Sequence, residues 1–440
     1  MSLTQGYFPG SVPNKLIRLF GTMMNMLSGK TALLFCIILA IISGHNASAA
    51  EVRTVKDERG WQLLVEDQPF FIHGMCYTPT AIGESSNDNT RRDWMVVDDD
   101  QDGRNDYAYQ TWVDANRNNQ RDPEENEIGD FQLMKDMGVN AIRVYHHASD
   151  DPQLMQINAS GDVLLNHASN KELMRAMHAD YGIWVAMGDL VGSYGVGSGA
   201  SWDIGTDYTD PEQKANMLKS VEVMVLGHKD EPYLLMWVLG NENNLSEYTR
   251  TQAPKQPQAY AEFINEAALL IKKLDGKHPV ALCNGAYGLL EEYAKYAPDI
   301  DIFGLNMYSN NGFHELWKKI ARDYDRPVML TEFGTSHPIV RDGVLKESYQ
   351  ADIHRRAWAD IQKHRRGGDA PGNSIGGFVF QWADEWWYNG DKWQQNLNPD
   401  GSGWNHEYNG IAGFGDGTGG PLIRQLRPVY SAYQEMWADL

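Results

Sequence analysis

The chain has 440 residues, 42% hydrophobic and 22% charged, enough for one large domain with a sizeable core behind a leader. A formal net charge of −21 argues against nucleic acid or an anionic membrane surface as a partner and leaves neutral partners unpenalised. Fourteen Trp and 21 Tyr supply flat surfaces, which either pack a core or stack on rings.

The first 50 residues read differently from the rest. Lys30 precedes an apolar run at 31–42 (TALLFCIILAII), followed by Ala47-Ser48-Ala49-Ala50. A charged region, a short apolar run and small residues in an A-x-A pattern predict a signal peptide within a leader over 1–50, with Met23, Met24 or Met26 as alternative starts. The run is too short to span a bilayer comfortably, so no membrane insertion of the mature chain is expected. The mature domain, 51–440, is expected in the periplasm or the outside medium. Cys76 and Cys283 remain in it, on strands on opposite sides of the fold, and are expected to be buried free thiols.

From residue 51 onward, strand-length apolar runs alternate with helical patterns. A hairpin is expected first, with 61–65 and 70–72 flanking the turn Glu66-Asp67-Gln68-Pro69, placed to close the bottom of the domain. Strands follow at 70–76, 140–145, 182–187, 233–239, 279–283, 302–306, 327–330 and 377–381. Continuous apolar runs suit strands covered on both faces, as in parallel sheets. Between them, Tyr260, Phe263, Ile264, Ala267, Ala268 and Ile271 mark one helix face, and Tyr349, Ile353, Ala357 and Ile361 another. Gly138 and Gly182 are expected to end helices just before strands. Eight such units predict an α/β fold, a (β/α)8 TIM barrel, as a single catalytic domain with a long acidic insertion after strand 1.

In this fold the chemistry sits at the C-terminal strand ends. Strand 2 ends in Arg143-Val144-Tyr145-His146-His147, strand 4 in Gly240-Asn241-Glu242, strand 6 in Asn306-Met307-Tyr308, strand 7 in Thr331-Glu332-Phe333-Gly334, and strand 8 in Trp382-Ala383-Asp384-Glu385-Trp386-Trp387. Two carboxylates facing each other across a barrel mouth suit glycoside hydrolysis, which needs one protonated and one ionised carboxyl beside the scissile bond. Arg143 beside Glu332 would keep that group ionised, and the Tyr308 hydroxyl would donate to it.

At these residues the chain resembles the clan A glycoside hydrolases, over about 70–438. The resemblance implies that Glu242, in Gly-Asn-Glu at the end of strand 4, is the acid/base. It implies that Glu332, in Thr-Glu-Phe-Gly at the end of strand 7, is the nucleophile of a retaining reaction. Arg143 matches an Arg near the end of strand 2, and Trp382 an aromatic at the end of strand 8. Arg143, His146, Asn241, Asn306, Tyr308, Trp382 and Trp386 form the expected carbohydrate-binding set, with no cofactor needed for catalysis. The barrel is similar to those of the β-galactosidase and β-glucuronidase group and of glucanases and glucanosyltransferases. That first group carries β-sandwich domains ahead of its barrel, and here about 20 residues lie between the leader and strand 1. The expectation is therefore hydrolysis of a β-linked polysaccharide or oligosaccharide, a β-glucan first. A glucanosyltransferase and a non-catalytic carbohydrate-binding barrel are the alternatives.

The insertion carries two calcium-loop patterns. Counted from Asp98, Asp100, Asp102 and Asp106 fall at positions 3, 5 and 9 with Gly103 at 6, but position 12 is Tyr109 rather than Glu. Counted from Asp114, Asn116, Asn118 and Asp122 take the same positions with Glu125 at 12, but Asn119 replaces the Gly. A structural calcium is expected in at least one of them.

Overall fold

The computed structural model describes residues 49–88, 90–147, 170–335, 340–341, 344–396 and 406–438. The expected signal peptide lies outside the described residues.

Eight parallel strands close a barrel in chain order: β1 (Ile72–Cys76), β2 (Ala141–Val144), β3 (Trp184–Asp189), β4 (Leu234–Leu239), β5 (Val280–Gly285), β6 (Ile302–Asn306), β7 (Val328–Phe333) and β8 (Ser374–Val379). Between and after them run α1 (Asp130–Met137), α2 (Lys171–Tyr181), α3 (Pro211–His228), α4 (Pro257–Leu274), α5 (Leu290–Tyr296), α6 (Leu316–Asp323), α7 (Glu347–Lys363) and α8 (Pro428–Trp437).

Alternation along the strands sorts the side chains into two cores. Ile142 and Val144 of β2 pack outward with the helices, as do Phe303 and Leu305 of β6. Ala141, Ala186, Ala281, Ile302, Met329 and Phe378 fill the interior. The α4 stripe from Tyr260 to Ile271 is buried as its spacing requires, and each such large apolar side chain contributes about 1.5–3 kcal/mol. Helices α1 and α2 end at Gly138 (φ 94°) and Gly182 (φ 71°), left-handed caps that turn the chain into β2 and β3.

Below the interior lies an antiparallel sheet of Val52–Asp57, Gly60–Val65 and Gln68–Phe70. Its Val52, Leu63 and Val65 join the interior core, so it plugs the barrel floor. The turn is tighter than expected. Glu66 and Asp67, at φ 49° and 62°, make the whole two-residue connection, and strand pairing resumes at Gln68. Strand β8 begins three residues earlier than its apolar run. Gly376 and Gly377 allow this, because a Cβ on either would lie 2.3 Å from the Ile72 carbonyl oxygen or 2.7 Å from that of Leu330.

The insertion after β1 is tied to the C-terminal segment. Trp112–Val113 pairs in parallel with Ile423–Leu426. Beneath that pairing Arg424 donates to both oxygens of Asp130, at 2.8 and 2.9 Å, with neither side chain exposed. Tyr77 and Thr111 hydroxyls donate to the same carboxylate, satisfying a charge pair that would otherwise be costly to bury.

Candidate active site

The strands share one direction, so their C-terminal ends gather at one mouth. Arg143, 1% exposed, is the hub beneath it. Its Nη1 donates to Glu332 Oε1 (3.0 Å), the Thr331 carbonyl (3.0 Å) and Asn306 Oδ1 (3.3 Å). Its Nη2 donates to Asn241 Oδ1 (2.9 Å) and Cys283 Sγ (3.2 Å). One guanidinium thus ties β2 to β5, β6, β7 and the turn after β4. Cys76 and Cys283 are free and buried on β1 and β5, as expected.

Glu332 owes its direction to a bulge. Leu305 pairs with Leu330, yet Asn306 pairs with Glu332, so Thr331 is an extra residue on β7. Thr331 Oγ1 donates to Asn306 Oδ1 (2.7 Å), while Glu332 meets the Tyr145 hydroxyl at Oε1 (2.7 Å) and the Tyr308 hydroxyl at Oε2 (2.6 Å). A guanidinium and two hydroxyl donors thus converge on this one carboxylate.

Glu242 stands on a turn with φ 55°. Asn243, fully buried, shapes that turn. Its Oδ1 accepts from the Asn241 N–H (2.9 Å), and its Nδ2 donates to the Val191 carbonyl (3.1 Å) and Tyr208 Oη (2.8 Å). Burial, and then the charge of Glu332, push the Glu242 carboxyl up to about 7, against the opposing pull of Asn306 and Arg143. The pair therefore offers one carboxyl protonated below neutral pH beside one surrounded by donors.

Asn241, Asn306, Tyr308 and Arg143 come together in this network, as the sequence predicts. His146 turns toward the end of β3, its Nδ1 accepting the Leu190 N–H (3.3 Å) and lying 3.9 Å from Asp189 Oδ2. His147 and Ser220 reach the same oxygen, at 3.4 and 2.6 Å. Burial opposes ionisation of Asp189, but the two histidines and Ser220 hold its carboxyl down to about 2. His146, His147 and Asp189 form a buried group whose atoms could also converge on a metal. The expected place of Trp382 and Trp386 in the carbohydrate-binding set needs correction. Trp382 has no exposed surface and packs edge-on toward Tyr430 of the C-terminal helix α8, and Trp386 is 6% exposed, with Gly417 close against its ring.

Sequence reasoning passed over four contributors. Tyr145 lies two residues beyond Arg143 on the same strand face, which was a usable signal. Tyr194, which accepts from Asn241 Nδ2 at 3.2 Å, and Asn243 carry no local signature. Glu385 is buried near Glu332. Burial pushes its carboxyl up, Arg91 pulls it down, and the charge of Glu332 adds to the rise. In the insertion, Asp98, Asp100 and Asp106 converge, while Asp102 accepts from Gln110 (2.9 Å). Asp114, Asn116, Asn118, Asp122 and Glu125 form a second loop joined by their own hydrogen bonds.

Comparison with known proteins gives the same frame. The family described as "Glycosyl hydrolases family 2, TIM barrel domain" matches residues 115–364. Among solved structures, the chain is similar to a β-D-glucuronidase of Dictyoglomus thermophilum, with 16% identity and a TM-score of 0.51 over 88% of this chain and 54% of that one. It is similar to a β-glucuronidase of Bacteroides uniformis, with 15% identity and a TM-score of 0.52 over 89% and 37%. It is also similar to a β-galacturonidase of Eisenbergiella tayi, with 16% identity and a TM-score of 0.50 over 89% and 54%. The chain thus spans about half of these proteins, or less. No curated protein matches it.

Proposed function

Because the chain belongs to the glycosyl hydrolases of family 2 through their TIM barrel domain, we propose that it is a retaining β-glycosidase with Glu332 as nucleophile and Glu242 as acid/base. The observation that carries this is the contrast between the two carboxyls. Glu332 accepts from Arg143, Tyr145 and Tyr308, whereas Glu242 is raised to about 7. A Glu332 oxygen attacks the anomeric carbon. The bond to the leaving oxygen breaks, and that oxygen takes the Glu242 proton. Water, giving its proton back to Glu242, then attacks the same carbon and releases Glu332.

The proposed substrate is a neutral β-linked glycan, a β-glucan first. The net charge of −21 supports a neutral sugar over an anionic one, and so does the engagement of Arg143 by groups within the site. The leader pattern over 1–50 supports export, which places the enzyme where polysaccharide is met.

The test is a screen of the full chain on β-glucans, mannans, galactans and β-uronides, with Glu332→Gln as control and the product anomer read by NMR. The expected result is β product formed first from a β-glucan and none from the control. Products longer than the substrate would assign transfer instead of hydrolysis. An α anomer formed first would overturn retention. Binding without turnover on any of the glycans would overturn the catalytic reading.

A further inference from the structure

The two acidic stretches of the insertion adopt one loop. In the first, the Asp102 N–H donates to Asp98 Oδ1 and Asp100 Oδ1 (both 3.1 Å), the Gly103 N–H to Asp98 Oδ2 (3.1 Å), and the Arg104 N–H to Asp102 Oδ1 (2.7 Å). In the second, the Asn118 N–H donates to Asp114 Oδ1 (3.1 Å) and Asn116 Oδ1 (3.0 Å), the Asn119 N–H to Asp114 Oδ2 (3.0 Å), and the Gln120 N–H to Asn118 Oδ1 (2.8 Å). The fourth and sixth positions are left-handed in both, at Gln101 and Gly103 (φ 58° and 86°) and at Arg117 and Asn119 (φ 58° and 62°).

The loops part at the ninth position. In the second, the amides of Asn116 and Asn118 turn inward and donate to Asp122 Oδ2 at 2.7 and 2.9 Å. In the first, that position is Asp106, only 3% exposed. Its Oδ2 accepts the Asp99 N–H, but its Oδ1 has no hydrogen-bond partner among the described residues. One carboxylate oxygen from each of Asp98, Asp100 and Asp106 lies within 4.8 Å of the others. Like charges gathered this closely, with a buried oxygen left unpaired, call for a cation. Flexible, all-oxygen coordination suits calcium, whereas magnesium demands a tighter octahedron and keeps its waters.

We propose that the first loop binds one calcium ion through Asp98, Asp100, Asp102 and Asp106, with the Arg104 carbonyl and water completing the shell. The ion anchors the insertion that follows β1. Arg92 joins Glu84 to Asp99, beside the loop, and neighbouring Arg91 donates to the Thr78 carbonyl just beyond β1 (3.3 Å).

The full chain, stripped with a chelator, is titrated with calcium alone, with ions counted by elemental analysis and unfolding followed by calorimetry. Wild type should take up calcium by about 1 mM, as extracellular sites do. Its Tm should rise by roughly 2–4 °C or more when the site is saturated, and magnesium should give a smaller rise. Asp100→Asn, at an exposed position, should hold one equivalent fewer or bind at least about tenfold more weakly. Asn118→Ala in the second loop should leave that equivalent in place. No uptake by wild type at millimolar calcium would overturn the proposal whatever the variants do, and so would equal uptake by Asp100→Asn. Neither readout depends on glycosidase activity, so failure of one proposal is distinguishable from failure of the other.

Discussion

The ends of β4 and β7 each carry a glutamate into the same mouth, and they differ in what surrounds it. Glu332 sits after a bulge with three side-chain donors on its two oxygens. Glu242 sits on a left-handed turn where burial and the charge of Glu332 dominate. The side chain is the same, so the difference in surroundings comes from neighbours on and just beyond β2 and β6. The proposed roles rest on that difference.

Breaking the β7 half should cost most. Glu332→Gln keeps the shape but removes the proposed nucleophile, and kcat should fall by more than about 10⁴-fold, beyond what proton transfer alone supplies. Glu242→Gln should cost about 10²–10⁴-fold on substrates with poor leaving groups and much less on an activated aryl glycoside, which needs no proton to depart. A loss independent of the leaving group would remove Glu242 from the acid role. The wild-type kcat/KM should fall as pH rises through about 7, where the raised Glu242 carboxyl loses its proton, as one limb of a coupled pair. That limb should be missing in Glu242→Gln.

Smaller changes sharpen the comparison. Tyr145→Phe and Tyr308→Phe each remove one charge-assisted hydrogen bond, worth ~1.5–3 kcal/mol, so kcat/KM should drop about 10–100-fold. The double variant should depart from additivity, because both hydroxyls serve one carboxylate. The smallest effect is on stability. The Glu242 carboxyl rises from 4.5 to about 7 on folding, so its contribution is present below the lower value and lost as pH climbs through the higher one. Denaturant titrations across that window should show the slope in wild type and a flatter profile in Glu242→Gln.

The barrel and the heart of its mouth were legible because their signals are local. Strands covered on both faces write continuous apolar runs, and polar residues just past such runs have one place to go. That reasoning reaches Arg143, Asn241, Asn306 and Tyr308, all of which meet in one network. It fails where distant segments decide. The start of β8 reads as a polar, glycine-rich loop, yet those glycines let two neighbouring backbones approach. Trp382 reads as a carbohydrate-binding residue, yet it is fully buried with Tyr430 of α8 against it. Asn243 reads as one more polar loop residue, yet it braces the turn under Glu242.

The contact between Arg143 and Cys283 has a practical side. Burial pushes the Cys283 thiol up to about 11, and it pushes Cys76 higher still. Both side chains are fully buried, so at neutral pH the folded barrel offers neither as a nucleophile toward maleimides or disulfide reagents. A cysteine introduced at an exposed position such as Asp203 would then be the single reactive thiol among the described residues. A dye or surface tether could be attached there without disturbing the hub beneath the mouth.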